Sequence, residues 1–288
     1  MADSDVKHDS ASKAELIKVN NIYIPDEGYY FGNGVFETIR VLNGAPLFLM
    51  RHIMRMTNSA TELGFINDCE RLAFSEELKI KLESYLEKLI KSSEIPKDAV
   101  FKAAFSCGNL YLSFRENTYK TSDYDKGFSL DYSKVLRNET SPFTYHKTLN
   151  YGDNIREKRL AHKNGFDEPV FLNTKGELTE GATTNLFLVK ENIIYTPSVS
   201  SGLLAGTIRG EIIDYFSDKN KKVRNKRKDK LADLKVKETI LYTEDIEKSS
   251  QMFVTNSLLG VMPVNRCGKR EFDIKTDFIN LMMQIFNY

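Results

Sequence analysis

A short polar segment, Arg137–Pro142 (RNETSP), divides this chain into two halves that each carry their own strands and helices. A polar run interrupted by proline is the character of a boundary between domains. A chain of 288 residues is long for one compact core and comfortable for two α/β domains. The expected division is a terminal arm at 1–13, a smaller α/β domain at 14–136, an interdomain linker at 137–146 and a larger domain at 147–288. The arm is polar and charged, lacks the apolar core of a signal peptide, and reads as disordered.

In the first half, Leu16–Ile24 alternates loosely and ends in the turn cluster Pro25–Gly28. Val35–Leu42 reads as a strand closed by an Asn43-Gly44 hairpin turn. Leu49, Ile53, Met56, Ala60 and Leu63 recur at helical spacing, and Gly64 closes that helix. A second helix is expected to start at Ser75 and to carry Leu78, Leu82, Leu86 and Leu89. Val100–Cys107, Tyr111–Arg115 and Phe128–Val135 read as strands.

In the second half, Pro169–Asn173 and Glu177–Glu180 flank the turn Thr174–Gly176 and read as a hairpin. Asn185–Val189, Ile193–Thr196, Thr239–Tyr242, Met252–Thr255 and Val261–Val264 read as short strands. Helices are expected at Gly206–Phe216 and at the apolar terminal stretch Phe278–Phe286. The basic run Lys219–Lys230 interleaves no aromatic rings, and single-strand nucleic-acid binders need stacking as well as charge. It reads as a solvated insertion, and the net charge of +1 argues against a general polyanion binder, so no nucleic-acid partner is expected.

Three separated cysteines, with no CxxC spacing, argue against a disulfide framework or a zinc site and fit a reducing cytoplasm. No apolar run reaches spanning length, so no membrane partner is expected. His52 has no second histidine at metal spacing, and no metal is assigned.

Three features carry chemistry. Lys147 is flanked by Phe143, Tyr145, Leu149 and Tyr151, a setting that suits a partly desolvated amine able to form a Schiff base. A solvated lysine at a strand end is the ordinary alternative. Glu180 ends a strand before Gly181 and a Thr183-Thr184-Asn185 turn, where a carboxylate could hold a proton on a ring nitrogen or simply close a surface hairpin. Gly206-Thr207-Ile208 opens a helix whose free N–H groups suit a phosphate, or form a plain cap. Arg55 could add a cation to that phosphate. A reactive amine, a buried acid and a phosphate-sized helix N-terminus, in that order, suggest pyridoxal 5'-phosphate.

The blocks FGNGVFETIRVLNG (Phe31–Gly44), HIMRM (His52–Met56), HKTLNYGDNI (His146–Ile155), ELTEGATTNLFLV (Glu177–Val189), YTPSVSSGLLAGTIRG (Tyr195–Gly210) and FVTNSLLGVMPV (Phe253–Val264) occur in a familiar order. Through them the chain resembles the class IV aminotransferase family, the fold-type IV pyridoxal-phosphate enzymes. That family includes 4-amino-4-deoxychorismate lyases, branched-chain aminotransferases and D-amino-acid aminotransferases. The resemblance implies an α+β, two-domain fold with the cofactor cleft between the domains and the site completed across a homodimer. It implies that Lys147 carries the cofactor and shuttles protons, and that Glu180 pairs with the pyridinium nitrogen. Arg55 and the Thr207 and Ile208 amides, with Ser257, would hold the phosphate. Tyr151 would lie near the phenolic oxygen, and Asn185 would support the Glu180 strand. Arg40 and Asn256 are the residues expected to meet the substrate.

The Arg-x-His pair by which D-amino-acid aminotransferases grip a carboxylate is absent from AAFSCGNLYLSF (Ala103–Phe114). Where branched-chain enzymes carry Gly-Thr-Ala, this chain has Asn256-Ser257-Leu258. The Thr255–Ser257 block most resembles the lyases, which form p-aminobenzoate and pyruvate for folate synthesis. A branched-chain or D-amino-acid aminotransferase is the alternative on the same fold, and a non-catalytic binding protein is the alternative of another class.

Overall fold

The computed structural model describes residues 14–15, 26–92, 95–217 and 234–287. The expected arm at 1–13, the segment Leu16–Ile24 and the basic run Lys219–Lys230 lie outside them. The chain divides into two compact units, Met1–Thr118 and Tyr119–Tyr288.

The first unit is a five-stranded antiparallel sheet backed by helices. Its strands are β1 (Ala14–Glu15), β2 (Val35–Leu42), β3 (Ala45–Pro46), β4 (Asp98–Ser106) and β5 (Asn109–Glu116), in the order β1-β5-β4-β2-β3. Strand β2 pairs with β4 along its whole length, from Val35↔Phe105 to Leu42↔Asp98. The Asn43-Gly44 turn joins β2 to β3 as expected, with both residues in the left-handed region at φ 51° and 81°. A five-residue helix, α1 (Glu27–Phe31), occupies the end of the expected turn cluster; Tyr29 N–H donates to Asp26 Oδ1 at 3.2 Å and caps it. Helix α2 (Leu49–Glu62) turns Ile53, Met56 and Ala60 inward. Helix α3 (Arg71–Lys91) starts earlier than Ser75, because a 3-10 turn capped by Asn67 and Glu70 feeds it. The core joins Ile39, Val41 and Phe101 of the sheet to Ile53, Met56, Leu82 and Leu86 of the helices.

The second unit begins earlier than the expected linker. Helix α4 (Thr121–Lys126) leads into β6 (Phe128–Tyr132), which pairs in parallel with β7 (Glu168–Leu172) and with β13 (Gly260–Cys267). That pairing, and the burial of Leu130 in the second core, place 119–136 with the second unit. The segment expected as a linker contains a 3-10 turn, Pro142–Tyr145, and leads through Lys147 to α5 (Gly152–Lys163). Beyond β7 come β8 (Leu178–Gly181), β9 (Asn185–Lys190), β10 (Ile193–Pro197), α6 (Thr207–Phe216) and β11 (Lys235–Thr239). Then follow α7 (Thr243–Lys248), β12 (Gln251–Asn256), β13, β14 (Arg270–Glu271) and α8 (Asp277–Phe286). The strand expected at Thr239–Tyr242 lies instead at Lys235–Thr239, where it pairs in parallel with β10.

The order β11-β10-β9-β12-β13-β6-β7-β8 returns on itself, because β8 also pairs with β9. The six strands from β9 round to β8 therefore form a closed ring, shut by the single pair Glu180↔Asn185. Leu130, Val170, Leu178, Leu186, Val254 and Met262 share one core. Phe187 and Phe253 stack at 4.8 Å between centroids, and Phe253 also meets Phe278 of α8. Among the described residues, no helix is long and apolar enough to cross a membrane.

Candidate active site

Glu180 sits at the seam of the ring and is buried. Its Oε1 lies 3.2 Å from Arg137 NH2, and its Oε2 accepts the Leu204 N–H at 3.1 Å. Burial pushes its carboxyl up to about 7, against the opposing pull of Arg137, the Leu204 N–H and Lys147. Arg137 is itself fixed: its NH1 donates to Asn154 Oδ1 at 3.0 Å, its guanidinium lies 4.0 Å from the Phe171 ring centroid, and its backbone N–H donates to Leu172 O.

Lys147 lies between the 3-10 turn and α5, with its Nζ 5.1 Å from the centre of the Tyr151 ring. It is partly buried, and its charge acts on Glu180. The Tyr151 hydroxyl donates to Ala182 O at 2.6 Å, and Asn154 Nδ2 donates to the same oxygen at 2.7 Å. Burial first, then the neighbouring Glu180, raise the Tyr151 phenol above its ordinary range, so it is a neutral donor. The start of α5 is thereby tied to the turn that follows Glu180.

That turn is braced from beneath. Glu168 is fully buried, and its Oε1 accepts from Thr183 N–H at 2.5 Å, Thr183 Oγ1 at 3.0 Å and Thr184 Oγ1 at 3.2 Å. Lys158 Nζ lies 3.1 Å from Glu168 Oε2 and donates to Thr183 Oγ1 at 3.0 Å. Burial opposes the charge on Lys158, but Glu168, joined by Tyr119 and Asp167, outweighs it and the pKa is raised. A Cβ at Gly181 would lie 2.4 Å from Thr184 Oγ1 and 2.8 Å from Glu168, so only glycine fits beneath this turn. Asn256 Nδ2 reaches Thr183 O at 3.2 Å, while its Oδ1 accepts the Leu258 and Leu259 N–H groups. Asn256, expected to meet a substrate, is thus built into the turn, and Ser257 follows it in the β12–β13 hairpin.

Helix α6 begins after Gly206, whose extended backbone leaves the first turn with no side-chain cap. The Thr207 and Ile208 N–H groups lie in that first turn. Thr207 Oγ1 is buried without a hydrogen-bond partner among the described residues. Asn185 pairs with Glu180 and Thr255, and its Nδ2 donates to Leu204 O at 2.8 Å. One short segment, Leu204 to Thr207, therefore touches the acid with an amide at one end and opens the helix at the other.

Arg40 and Arg55 belong to the first unit, and each is held by a carboxylate there. Arg40 Nε and NH2 donate to Asp98 at 2.9 and 2.7 Å. Arg55 Nε and NH2 donate to Glu37 at 2.7 and 2.6 Å, and His52 Nδ1 lies 2.7 Å from the same acid. Lys102 stands across from Thr38 on β4, its Nζ 4.7 Å from the Phe36 ring centroid; burial and Arg115 lower its pKa.

The structure brings Lys147, Tyr151, Glu180, Asn185, Asn256 and the start of α6 into one connected set of elements. Arg137, Asn154, Lys158 and Glu168 are additions that sequence reasoning missed. The signal for Arg137 was its place in a segment read as linker; its buried partners come from residues 17 and 43 positions further along.

The family model described as Amino-transferase class IV matches residues 34–267. A Rickettsia conorii protein provisionally named a branched-chain-amino-acid aminotransferase is 26% identical over 257 residues, covering 85% of this chain and 81% of that protein. The aminodeoxychorismate lyase of Bacillus subtilis is 26% identical over 258 residues, covering 84% of this chain and 80% of the relative. A solved Legionella pneumophila structure, described as a candidate 4-amino-4-deoxychorismate lyase, is 27% identical with a TM-score of 0.73, covering 93% of this chain and 95% of that one.

Proposed function

Because the chain belongs to the class IV aminotransferase family, we propose that it is a pyridoxal 5'-phosphate enzyme and that its reaction is the 4-amino-4-deoxychorismate lyase reaction. The observation that carries the cofactor reading is the Leu204–Thr207 segment, which joins the buried Glu180 to an uncapped helix start. The residues fit the group. Glu180 is a buried acid with a raised pKa, suited to share a proton with a ring nitrogen. The Thr207 hydroxyl is a buried donor with no partner among the described residues, and it opens a helix whose N–H groups favour a phosphate.

Pyridoxal 5'-phosphate supplies a reactive aldehyde and a ring that accepts the electron pair released at a substrate's amino-bearing carbon. Lys147 is the amine that holds the cofactor and moves the substrate proton at Nζ. Glu180 holds the proton at the ring nitrogen. The Thr207 and Ile208 amides and Ser257 orient the phosphate, with Arg55 contributing its guanidinium. Tyr151 would lie near the cofactor's phenolic oxygen as a neutral phenol whose hydroxyl donates to Ala182 O, and Asn185 keeps the Glu180 strand and the helix start together. Arg40 would meet a carboxylated substrate, and Asn256 would act through the turn that it holds. In the lyase reading these groups release pyruvate and p-aminobenzoate, a step of folate synthesis, and no amino acceptor is used. The Thr255-Asn256-Ser257 block supports this reading. The Bacillus subtilis lyase and the Rickettsia aminotransferase are equally identical to the chain, so the transaminase reading is the second one. The enzyme is read as a cytoplasmic homodimer; three free cysteines support a reducing compartment.

The test is the spectrum and product of the cofactor-loaded protein. Release of p-aminobenzoate from aminodeoxychorismate, lost in Lys147→Ala, is the expected result. Conversion of the cofactor to its amine form by one amino acid, with no p-aminobenzoate formed, makes the protein a transaminase. A protein that never binds the cofactor at Lys147 ends both readings and leaves a binding protein on this fold.

A further inference from the structure

The buried acid at the seam has a cation of its own. Arg137 contacts Glu180 Oε1 at 3.2 Å, while the Leu204 N–H takes Oε2 at 3.1 Å, so the two carboxylate oxygens have different partners. The guanidinium cannot drift: Asn154 Oδ1 accepts from its NH1, and the Phe171 ring, fully buried, lies beneath it. Asn154 in turn holds Ala182 O, two residues beyond Glu180, so the same asparagine fixes the arginine and the chain of the acid.

We propose that Arg137 is a positioning residue for Glu180: its fixed guanidinium orients this buried carboxyl and offsets part of what burial costs its charged form, so that the carboxylate is within reach when a cofactor's ring nitrogen meets it. The proposal deepens the cofactor reading and rests on it for its purpose, but the pairing itself is a property of the protein alone. Burial disfavours the charged form of Glu180, and the charges facing it divide by sign. Arg137 and Lys147 favour the carboxylate, whereas Glu168 on β7 opposes it, its own charge shared with Lys158. Tyr151, a further ionisable neighbour among the described residues, stays neutral. Lys147 is the group expected to be consumed by the cofactor, which removes one of the two favourable cations. Arginine does not lose its proton at working pH, so Arg137 remains as the constant one.

The experiment follows the Glu180 carboxyl directly, by carbon-13 NMR of the full-length, cofactor-free protein labelled at glutamate, with the signal assigned by its loss in Glu180→Gln. Arg137→Gln is expected to raise the Glu180 midpoint by about one pH unit or more, the size of an adjacent-arginine effect. Arg137→Lys, which restores a cation, returns the midpoint toward that of the unmodified protein. A purely architectural role for Arg137 predicts that Lys fails to restore it. If Arg137→Gln does not fold, Asn154→Ala carries the test by freeing the guanidinium, and the midpoint must again rise. A midpoint unmoved in Arg137→Gln, or in Asn154→Ala where Arg137→Gln does not fold, overturns the proposal. Absence of a cofactor band in the unmodified protein defeats the cofactor reading alone, because the titration needs no cofactor.

Discussion

Arg55 lies side-on to Glu37, Nε to Oε1 at 2.7 Å and NH2 to Oε2 at 2.6 Å. Glu37 is almost wholly buried on β2, and His52 approaches the same Oε2 at 2.7 Å. A cation expected to serve a phosphate is thus oriented by an acid in the middle of the first sheet. Burial raises the Glu37 pKa, but Arg55 and His52 outweigh it and bring the carboxyl down from 4.5 to about 2.

The folded-state pKa of Glu37 lies below its unfolded value, so its contribution is full above pH 4.5 and is lost as pH falls through 2. Glu37→Gln is expected to cost about 3 kcal/mol at pH 7, because two buried or half-buried partners lose their acid. Urea unfolding at pH 7 and pH 3 checks this: the deficit must shrink at the lower pH.

Glu180 has the opposite sign. Its folded-state pKa is raised from 4.5 to about 7, so the folded protein holds a proton that the unfolded chain has released. The favourable term is full below pH 4.5 and is lost as pH rises through 7. The cofactor-free protein therefore loses up to roughly 3 kcal/mol across that window. Thermal melts of the unmodified protein and of Glu180→Gln, compared from pH 4.5 to 8, test the sign; the variant's curve is the flatter one.

Lys158→Met leaves the fully buried Glu168 without its cation and is expected to cost about 3 kcal/mol. Lys158→Met combined with Glu168→Gln is expected to cost less than the two single changes summed, since the pair is removed together. A double-mutant cycle by urea unfolding measures that coupling.

At Gly206 a Cβ would lie 2.0 Å from Asn185 Oδ1. Gly206→Ala must push Asn185 from Leu204 O, disturbing the seam and the helix start at once, at a cost of roughly 1–3 kcal/mol. Asn185→Ala in the same background relieves the clash. The pair of variants is read by thermal melting, and by affinity for the cofactor, which falls in Gly206→Ala.

Much of this architecture is written locally. The alternation of Val35–Leu42, the helical spacing from Leu49 to Ala60 and the apolar terminal helix all fall where periodicity puts them. So do the two strands meeting at Thr174–Gly176, because turn chemistry is a short-range signal. Three features escaped for one reason: their partners are distant. Arg137 stands in a polar, proline-bearing segment, and only Glu180 and Asn154 reveal why a cation is buried there. Phe128–Val135 reads as a strand but not as a member of the second sheet; the strand runs over Phe128–Tyr132, and its place is decided by Val264 and Glu168. The strand expected at Thr239–Tyr242 follows the apolar residues Ile240 and Leu241, whereas the true strand, Lys235–Thr239, is a charged one at the sheet margin. Glu180 and Lys147 stand out in sequence by their flanks; the braces beneath the Glu180 turn, Glu168 and Lys158, look like ordinary surface charges there.

Closure of the ring at Glu180 and Asn185 also governs what the second sheet can do to its neighbours in solution. A ring offers no rim to which a foreign strand can add. Among the described residues the sheet's outermost member is β11, whose Lys235, Lys237 and Glu238 are exposed. Charges along an outermost strand discourage the addition of another chain. A mutation that opened the seam would therefore do more than displace the acid: it would free one edge of β8, a short strand that is buried along its whole length, and the first symptom in the test tube would be aggregation.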